Sequence, residues 1–303
     1  MRVLVAGATG VVGRPLVGAL RARGHEVSAL VRDEARAPAA DRVVVADVLD
    51  RAAVLSAVSA ARPEVVVHQL SALRLLRDDP AAAFAQTARL RTEGTAHLVE
   101  AARAAGTRRL VAQSIAFAAA PEGPPVLDED APLYVDAPDP GWAATVRAVA
   151  ELERLVSGSG LAGVVLRYGT LYGPGTGYAR AGGTALRVLA GKLPLPGGTG
   201  ITSFLHVDDA VGAAVAAVES TATGVFHATD DEPAPAAQWL PHYAHALGAP
   251  PPRTVPAALA PRLLGWFTAH QLTAARGAAN DRARTALGWK PLRPSWRDGL
   301  GEE

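Results

Sequence analysis

Residues 2–24 read RVLVAGATGVVGRPLVGALRARG, and this stretch decides the fold. It begins with an apolar run that ends in glycine, which is typical of a strand buried on both faces. Gly7, Gly10 and Gly13 then follow at intervals of three residues. After them, apolar residues recur at helical spacing until Gly24, where the predicted helix ends. The stretch therefore predicts a buried strand, a tight glycine turn and a helix.

A glycine turn of this spacing suits a dinucleotide. Glycine permits the bend and lets the backbone approach a pyrophosphate, which would lie at the amino end of the helix. A glycine triplet alone is weak evidence, since many turns carry glycine. Its place between a buried strand and a helix favours dinucleotide binding over a purely structural turn. The cofactor contacts predicted here are Gly7, Thr9, Gly10, Val11, Val12 and Gly13.

Short apolar runs continue to alternate with amphipathic segments as far as Thr170. Further strands are predicted over 25–32, 41–48, 63–72, 108–114 and 162–170, and further helices over 51–61, 87–106 and 145–160. Strands that alternate with helices in this way indicate a parallel sheet covered on both faces. The sequence therefore predicts an α/β fold with a doubly wound parallel Rossmann sheet.

The composition of the sequence changes after Thr170. Residues 171–183 and 191–204 are rich in Gly and Pro and are predicted to be loops. Residues 204–220 return to a strand followed by a helix, and 224–233 predict one more short strand and a turn. We expect a Rossmann domain over 1–172, with 201–227 returning to it, and a smaller C-terminal substrate lobe formed mainly by 173–303.

Composition narrows the possible partners. The 30 basic and 29 acidic residues nearly balance, which argues against a nucleic-acid surface and a polybasic membrane patch. The absence of cysteine excludes disulfides and thiolate zinc sites. The apolar runs are too short to span a bilayer, and no signal peptide precedes the strand at residue 2. We expect a cytoplasmic protein with a small-molecule substrate.

Metal binding is not expected either. His242 and His245 have the spacing of metal ligands on one helix face. No third His or Cys accompanies them at helical spacing, so a surface pair is the simpler interpretation.

Eight short motifs, taken in order, resemble the extended short-chain dehydrogenase/reductases, also called the NAD-dependent epimerase/dehydratase family. They are GATGVVG (7–13), ADV (46–48), HQLSA (68–72), RTEGTAHLVEAA (91–102), AQS (112–114), LRYGTLYGPG (166–175), SFLHVDDA (203–210) and LGWKP (287–291). The resemblance covers nearly the whole chain. It implies a Rossmann domain with a C-terminal substrate lobe, and in many members a homodimer formed through two Rossmann helices.

The end of the second predicted strand bears on the choice of cofactor. A carboxylate there would bind the adenosine ribose and repel a 2′-phosphate. Arg32 occupies this position, and a guanidinium suits a phosphate. Arg36 offers a second contact to the phosphate. The neighbouring carboxylate of Asp33 means that NAD(H) also stays possible. Alternatively, Arg32 is an ordinary exposed charge with no role in cofactor binding. NADP(H) is favoured over NAD(H).

The resemblance implies further cofactor contacts. Asp47 would face the adenine amino group, and Val48 would pack on the adenine ring. The remaining positions implied as cofactor contacts are Leu70, Ser71, Arg147, Tyr168, Gly169 and Leu171.

The family's acid–base pair is missing from this chain. Members carry a Tyr and a Lys four residues apart on one helix, and a Ser or Thr that orients the substrate oxygen. Ser114 fits the serine position. If Glu151 is the glutamate that often follows the pair, Arg147 stands at the lysine position and Ala143 at the tyrosine position. None of the five tyrosines has Lys or Arg four residues later, so the loss does not depend on this alignment.

The catalytic candidates are therefore Ser114, Arg147 and Tyr172. Arg147 would bind ribose hydroxyls and supply positive charge, but its pKa above ~12 prevents it from donating a proton. The conceivable replacements for the proton donor are Tyr172, Tyr178, His206 and a water held by Ser114. A packing role explains the two tyrosines more simply. Anchoring of a loop explains His206 more simply.

Three functions fit these observations. The first is an NAD(P)(H)-binding oxidoreductase of the extended family, acting on a small, rather apolar alcohol or ketone with a non-standard proton donor. The second is a non-redox lyase, isomerase or cyclase of specialised metabolism that kept the fold. The third is a nucleotide-sensing binding protein.

Overall fold

The computed structural model describes residues 1–73 and 79–301. Its strands are β1 (Arg2–Ala6), β2 (Glu26–Val31), β3 (Arg42–Val45), β4 (Val65–His68), β5 (Arg109–Ile115), β6 (Val126–Leu127), β7 (Ala162–Tyr168), β8 (Thr170–Tyr172), β9 (Leu195–Pro196), β10 (Ile201–Thr202), β11 (Phe204–His206), β12 (Gly224–Ala228), β13 (Ala234–Pro235), β14 (Thr254–Val255) and β15 (Gly277–Ala278). Its α-helices are α1 (Gly13–Ala22), α2 (Arg51–Ala61), α3 (Pro80–Arg89), α4 (Thr95–Ala104), α5 (Pro140–Ser157), α6 (Gly183–Leu189), α7 (Val207–Glu219), α8 (Ala236–Leu247), α9 (Ala260–Leu264), α10 (Trp266–Thr273) and α11 (Asp281–Leu287).

Seven strands form one parallel sheet in the order β12-β7-β5-β4-β1-β2-β3. The chain runs outward from β1 through β2 to β3 and then returns to β4, on the other side of β1. The direction of winding therefore reverses between β1 and β4. Ligands of such sheets bind outside the carboxyl ends of the strands at this point. The doubly wound parallel Rossmann sheet predicted from the sequence is confirmed.

Helices cover both faces of the sheet. Helices α1 and α7 pack together over one face, where Leu16 and Leu20 are fully buried. Helices α2, α4 and α5 cover the other face, where Leu98 and Leu152 are buried. Each aliphatic side chain buried in this way contributes about 1.5–3 kcal/mol. The two clusters hold the strand ends, and the loops that follow them, in place.

The helix predicted over 87–106 differs in the structure. Helix α3 begins at Pro80, where the Asp79 side chain accepts a hydrogen bond from the Ala82 amide at 2.9 Å. A π-turn over Leu90–Gly94 then joins α3 to α4. The hydrophobic spacing of the sequence does not reveal the π-turn, because one wider turn leaves the pattern on either side helical.

Two other predicted boundaries moved. Helix α5 begins at Pro140 rather than 145, because Asp139 accepts a hydrogen bond from the Trp142 amide and caps the helix. The segments predicted as loops, 171–183 and 191–204, contain the start of α6 and short two-stranded pairings. These pairings join residues distant in sequence, such as Ile201 with Pro235, so local composition gives no sign of them.

A separate apolar cluster lies in the C-terminal part of the chain. Its largest buried side chains are Tyr172, Phe204, Trp239, Tyr243 and Trp296. The domain boundary after residue 172 stays a prediction. No helix in the described part of the chain is long and apolar enough to cross a membrane.

Candidate active site at the carboxyl ends of the sheet

The turn after β1 has two positions that only glycine fits. Gly7 has φ +90°, and a Cβ there would lie 2.5 Å from the Gln69 carbonyl oxygen. A Cβ on Gly13 would lie 2.1 Å from the Gly7 carbonyl oxygen. Helix α1 starts at Gly13 with no side chain capping it. The turn fits a pyrophosphate because no side chain covers its backbone. The first amides of the helix have no partner within the helix, so they require an anion or water as a hydrogen-bond acceptor.

The rest of this turn faces outward. Thr9, Gly10 and Val11 are exposed, whereas Val12 is buried beneath them. The Gly10 amide donates to the Gly7 carbonyl at 3.0 Å and closes the bend. Val11 reaches the segment after β8, because a Cβ on Gly175 would lie 3.5 Å from its side chain. The turn and that segment therefore border one cleft.

The end of β2 is basic. Arg32 is exposed and makes no ion pair with any described residue. Asp33 is turned away, because its carboxylate accepts a hydrogen bond from the Ala35 amide at 3.1 Å. Arg14, next to the glycine turn, donates to the Arg36 carbonyl at 2.9 Å. Arg14, Arg32 and Arg36 thus surround the place where the adenosine ribose would lie.

The end of β3 carries the residues expected at the adenine. Asp47 is exposed, and its carboxylate accepts a hydrogen bond from the Leu49 amide at 3.0 Å. Val48 is buried against the π-turn, where a Cβ on Gly94 would lie 3.2 Å from its side chain. Val48 therefore helps to build the floor of this end of the cleft, and contact between Asp47 and adenine stays a prediction.

Strand β4 ends on a buried histidine. His68 Nδ1 accepts a hydrogen bond from the Leu70 amide at 3.1 Å, and its Nε2 lies 3.1 Å from Thr95 Oγ1. Burial lowers the pKa of His68 to about 4, so the imidazole is neutral at physiological pH. Its role is to fix the backbone at Leu70 and Ser71, which are partly exposed and border the cleft.

Two predicted cofactor contacts lie behind the cleft rather than in its wall. The Tyr168 ring is buried in the core, where its hydroxyl accepts from Gln69 Nε2 at 3.1 Å and contacts the Ala210 carbonyl. Gly169 is buried where a Cβ would lie 2.7 Å from the Ser203 carbonyl oxygen. Leu171 is half-buried against the core. The side chain at Tyr168 is therefore held in the core, and cofactor contacts at Tyr168 and Gly169 stay predictions.

The Ser114 hydroxyl takes part in a buried hydrogen-bond network. Its hydroxyl is buried and donates to the Glu153 carboxylate at 2.8 Å. Arg167 donates to both oxygens of the same carboxylate, at 2.9 and 2.7 Å. Ser114 therefore helps to hold Glu153 beneath α5, and its contact with a substrate oxygen stays a prediction.

The family's tyrosine and lysine positions can be aligned with α5 in two ways, and neither alignment places an acid–base group at these positions. Arg147 is exposed, 3.9 Å from the Asp136 carboxylate, and its contact with the cofactor ribose stays a prediction. The buried glutamate of the helix is Glu153, whereas Glu151 pairs with Arg154 at the surface. Counting back from Glu153 instead of Glu151 moves the two family positions to Thr145 and Val149. Neither residue can donate a proton to a substrate carbonyl.

The alternative proton donors are also occupied. Tyr172 is fully buried in the C-terminal cluster, and its hydroxyl lies 3.5 Å from the Ser295 carbonyl oxygen. Burial raises the pKa of the Tyr172 hydroxyl and makes it a poorer acid, and a catalytic role for Tyr172 stays a prediction. The Tyr178 ring packs against Phe204 in the same cluster. His206 Nδ1 accepts from the Asp208 amide and caps α7.

Aromatic side chains line the place where the pair would stand. Phe117 follows β5, Trp142 lies in the first turn of α5, and Phe267 lies on α10. The Trp142 and Phe267 rings are 4.6 Å apart, and Phe117 stacks on Trp142 at 6.2 Å. We call these three residues the aromatic wall. Trp142 is buried in a core cluster with Ala143, and Phe117 also lines the adjacent cleft.

The cleft between the sheet and the C-terminal part also contains a cation. Its lining includes Ala116, Phe117, Thr170, Thr202, Ser203, Gln271 and Arg276. The buried Nε of Arg276 and Nε2 of Gln271 have no hydrogen-bond partner among the described residues. A cation and an amide donor that converge on a cleft suit a carboxylate or phosphate.

Sequence reasoning missed the aromatic wall and Arg276 as site residues. The sequence suggests only a core or pocket position for Trp142. Nothing in the sequence around Arg276 distinguishes it from the other arginines of the chain. The residues come from segments near 117, 142, 202 and 271, which only the fold brings together.

Comparison with known proteins agrees with this geometry. The model of the NAD dependent epimerase/dehydratase family matches residues 3–227. A Streptomyces protein named 3-diazoavenalumate denitrifying reductase is 89% identical over 304 aligned positions, which cover 100% of both chains.

Solved structures share the fold. The Bordetella bronchiseptica enzyme WbmG in complex with NAD and UDP is 23% identical, with a TM-score of 0.75 and coverage of 100% of this chain and 92% of that one. UDP-glucose 4-epimerase of Thermus thermophilus in complex with NAD is 26% identical, with a TM-score of 0.71 and coverage of 99% and 97%. The human epimerase family protein SDR39U1 with NADPH is 24% identical, with a TM-score of 0.74 and coverage of 100% and 98%.

Proposed function

Because the chain belongs to the NAD-dependent epimerase/dehydratase family and is an oxidoreductase that binds a nicotinamide dinucleotide, we propose that it reduces a diazo carboxylate and releases dinitrogen. One observation carries the proposal: the full-length relative at 89% identity is a reductase named for 3-diazoavenalumate and for the loss of nitrogen. The hydride acceptor would then be the carbon that bears the diazo group, in place of the alcohol or ketone expected from the sequence.

This reaction explains the missing acid–base pair. A reduced nicotinamide, when bound, supplies a hydride. The diazo carbon gains that hydride and its electron pair while the C–N bond breaks, and the bond electrons leave with N₂. No carbonyl oxygen has to be protonated while the hydride moves, so the step does not need a tyrosine acid. The replacement of both family positions by residues that cannot donate a proton is consistent with this chemistry.

The aromatic wall supports the same reaction. A diazo carbon that loses N₂ is open to attack by water as well as by hydride. Phe117, Trp142 and Phe267 exclude water from the reacting centre, and their faces suit a flat, electron-poor group.

Arg276 supports a carboxylate substrate. The Nε of Arg276, which has no hydrogen-bond partner among the described residues, lies in the same cleft as Phe117 and Gln271. A carboxylate bound there would direct the rest of an extended substrate toward the aromatic wall. The proposal therefore assigns the carboxylate to Arg276 and the diazo end to the wall.

For the cofactor, we propose NADPH rather than NADH. Arg32 is unpaired, Arg14 reaches the same turn, and Asp33 is folded back on the Ala35 amide. Two or three guanidinium groups suit a 2′-phosphate, which a forward-facing carboxylate would repel. Cytoplasmic location and a homodimer stay predictions.

The proposal is tested by mixing the purified protein with NADPH and 3-diazoavenalumate. We expect one N₂, measured by gas mass spectrometry, for each NADPH lost at 340 nm. A panel of small alcohols and ketones serves as the comparison. Nitrogen that stays in the product, or faster turnover of a ketone than of the diazo compound, would refute the proposal.

A further inference from the structure

A second cavity, of about 390 Å³, lies beside the cleft that contains Arg276. It is bordered by the segment after β12 and by the start of α11. Ala278 on β15 lines both this cavity and the cleft, so the two share one short strand. The other lining residues of the cavity include Val126, Asp230, Asp231, Pro233, Asp281 and Arg284. None of these six residues is a predicted contact of the cofactor or of the diazo carboxylate.

The carboxyl group of Asp230 is the unusual feature of this cavity. The residue is buried, and its Oδ1 accepts a hydrogen bond from the Glu232 amide at 3.3 Å. Its Oδ2 is also buried but has no hydrogen-bond partner in the part of the chain that the structure describes. A buried polar atom without a partner destabilises a fold, and such atoms are uncommon. A free acceptor on a residue that lines a cavity indicates a ligand that donates a hydrogen bond.

The charges around the cavity favour a cationic ligand. Arg284 donates to the Asp231 carboxylate and to the side-chain oxygen of Asn280, so the arginine and Asp231 neutralise each other. Asp230 and Asp281 are the acidic residues of the lining that remain. The lining therefore has an excess of carboxyl groups over cations.

The protonation of Asp230 agrees with this assignment. Burial, with smaller contributions from the negative charges of Glu232 and Asp231, raises the pKa of Asp230 to about 8. The amides of Glu232 and Trp296 oppose the shift. Near neutral pH the carboxyl group therefore holds a proton, and a cation that binds there takes the place of that proton.

The donor set suits an organic cation better than a metal ion. Among residues 1–73 and 79–301, no group of three His, Asp or Glu side chains could hold a metal. Only one oxygen of Asp230 is free, which suits a single N–H donor of an ammonium group better than the paired donors of a guanidinium. Val126, Pro233 and Ala279 add apolar surface to the same lining. An aliphatic chain on the ammonium group would pack against these three residues.

We propose that this cavity is a second small-molecule site, which binds an aliphatic primary ammonium group through Asp230 Oδ2. The site is separate from the contacts assigned to the nicotinamide dinucleotide and to the diazo carboxylate. The inference does not depend on the proposed diazo reduction, so either one can fail while the other stands.

The test uses n-butylammonium as the probe and the full-length protein at neutral pH, with binding followed by ligand-observed NMR. n-Butanol has the same chain without the charge, and butyltrimethylammonium has the charge without an N–H donor. We expect n-butylammonium to bind with a Kd of about 1 mM, the range for a ligand of so few atoms. The two comparison compounds should bind at least tenfold more weakly, because neither offers a charged N–H group to Asp230.

Two variants locate the binding. Asp230→Asn should weaken n-butylammonium by roughly 10–100-fold, because a hydrogen bond between charged groups is lost. Its thermal midpoint should equal or exceed that of wild type, and its KM for NADPH should stay unchanged. Asp281→Asn is the matched control: Asp281 lines the same cavity but is exposed, so removing its charge should weaken binding by no more than about fivefold.

Three results would overturn the inference. The first is a wild-type protein that does not bind n-butylammonium. The second is n-butanol or butyltrimethylammonium that binds as tightly as n-butylammonium. The third is an Asp230→Asn variant that binds the probe as tightly as wild type. The first two are measured on the wild-type protein, so they decide the matter whatever the stability of the variants.

Discussion

The Ser114 hydroxyl donates a 2.8 Å hydrogen bond to the Glu153 carboxylate, which Arg167 also holds through two hydrogen bonds. All three side chains are buried. The serine that the family resemblance assigns to the substrate is therefore part of an ion-pair network beneath α5. The chain lacks the tyrosine and lysine and uses the serine to support the helix.

Ser114→Ala tests this relationship. The carboxylate keeps Arg167, so we expect a loss of about 1.5–3 kcal/mol in the free energy of unfolding, typical of one hydrogen bond to a charged group. The value of kcat should stay near wild type, whereas loss of a group that takes part in proton transfer costs about 10²-fold or more. Urea unfolding and steady-state kinetics measure both. A large fall in kcat at unchanged stability would show that Ser114 acts on the substrate.

Arg32→Ala tests the choice of cofactor. Removing charged hydrogen bonds to a 2′-phosphate costs about 1.5–3 kcal/mol, so KM for NADPH should rise by roughly 10–100-fold. KM for NADH should not change. Arg42→Ala, at the amino end of β3, is the control and should leave both values unchanged. Equal effects of Arg32→Ala on the two cofactors would contradict NADPH preference.

Arg276→Met tests the carboxylate anchor. We expect KM for the diazo carboxylate to rise by roughly 10–100-fold, again from lost charged hydrogen bonds. The methyl ester of the same substrate should bind wild type and variant equally, because it has no anion to lose. The control Arg253→Met removes an exposed arginine outside the cleft. An equal loss for acid and ester would show that Arg276 shapes the cleft without binding the carboxylate.

Asp230 predicts a pH dependence of stability. It is 2% exposed, and burial raises its pKa from 3.8 to about 8. Because its folded pKa lies above its unfolded pKa, the contribution is fully present below pH 3.8 and is lost as pH rises toward 8. Asp230→Asn should therefore gain stability relative to wild type by roughly 1.4 kcal/mol per pH unit over this window. Urea unfolding from pH 5 to 8 measures the difference, and parallel curves for the two proteins would contradict it.

The sequence predicted the glycine turn and the sheet because both depend on local rules. Gly7 and Gly13 are required by contacts within one strand–turn–helix unit, and buried strands have a recognisable composition. The direction of Ser114 was not predictable in the same way. It depends on which face of β5 meets α5, and on the choice between Glu151 and Glu153 as the buried glutamate.

The parts of the site that sequence reasoning missed come from distant segments. Phe117, Trp142 and Phe267 meet only after α10 folds back over α5, and Arg276 reaches the cleft from beyond α10. Sequence alone therefore predicted the strand, turn and helix that open the sheet better than it predicted which residues line the cleft.

The central claim is that hydride replaces the diazo group without a protein acid. It is tested most directly with NADPH that carries deuterium at the transferred position of the nicotinamide. We predict one deuterium on the carbon that lost N₂, and none at that carbon when unlabelled NADPH is used in D₂O. Deuterium that enters this carbon from solvent would contradict the account, because the carbon would then have been protonated and not reduced by hydride.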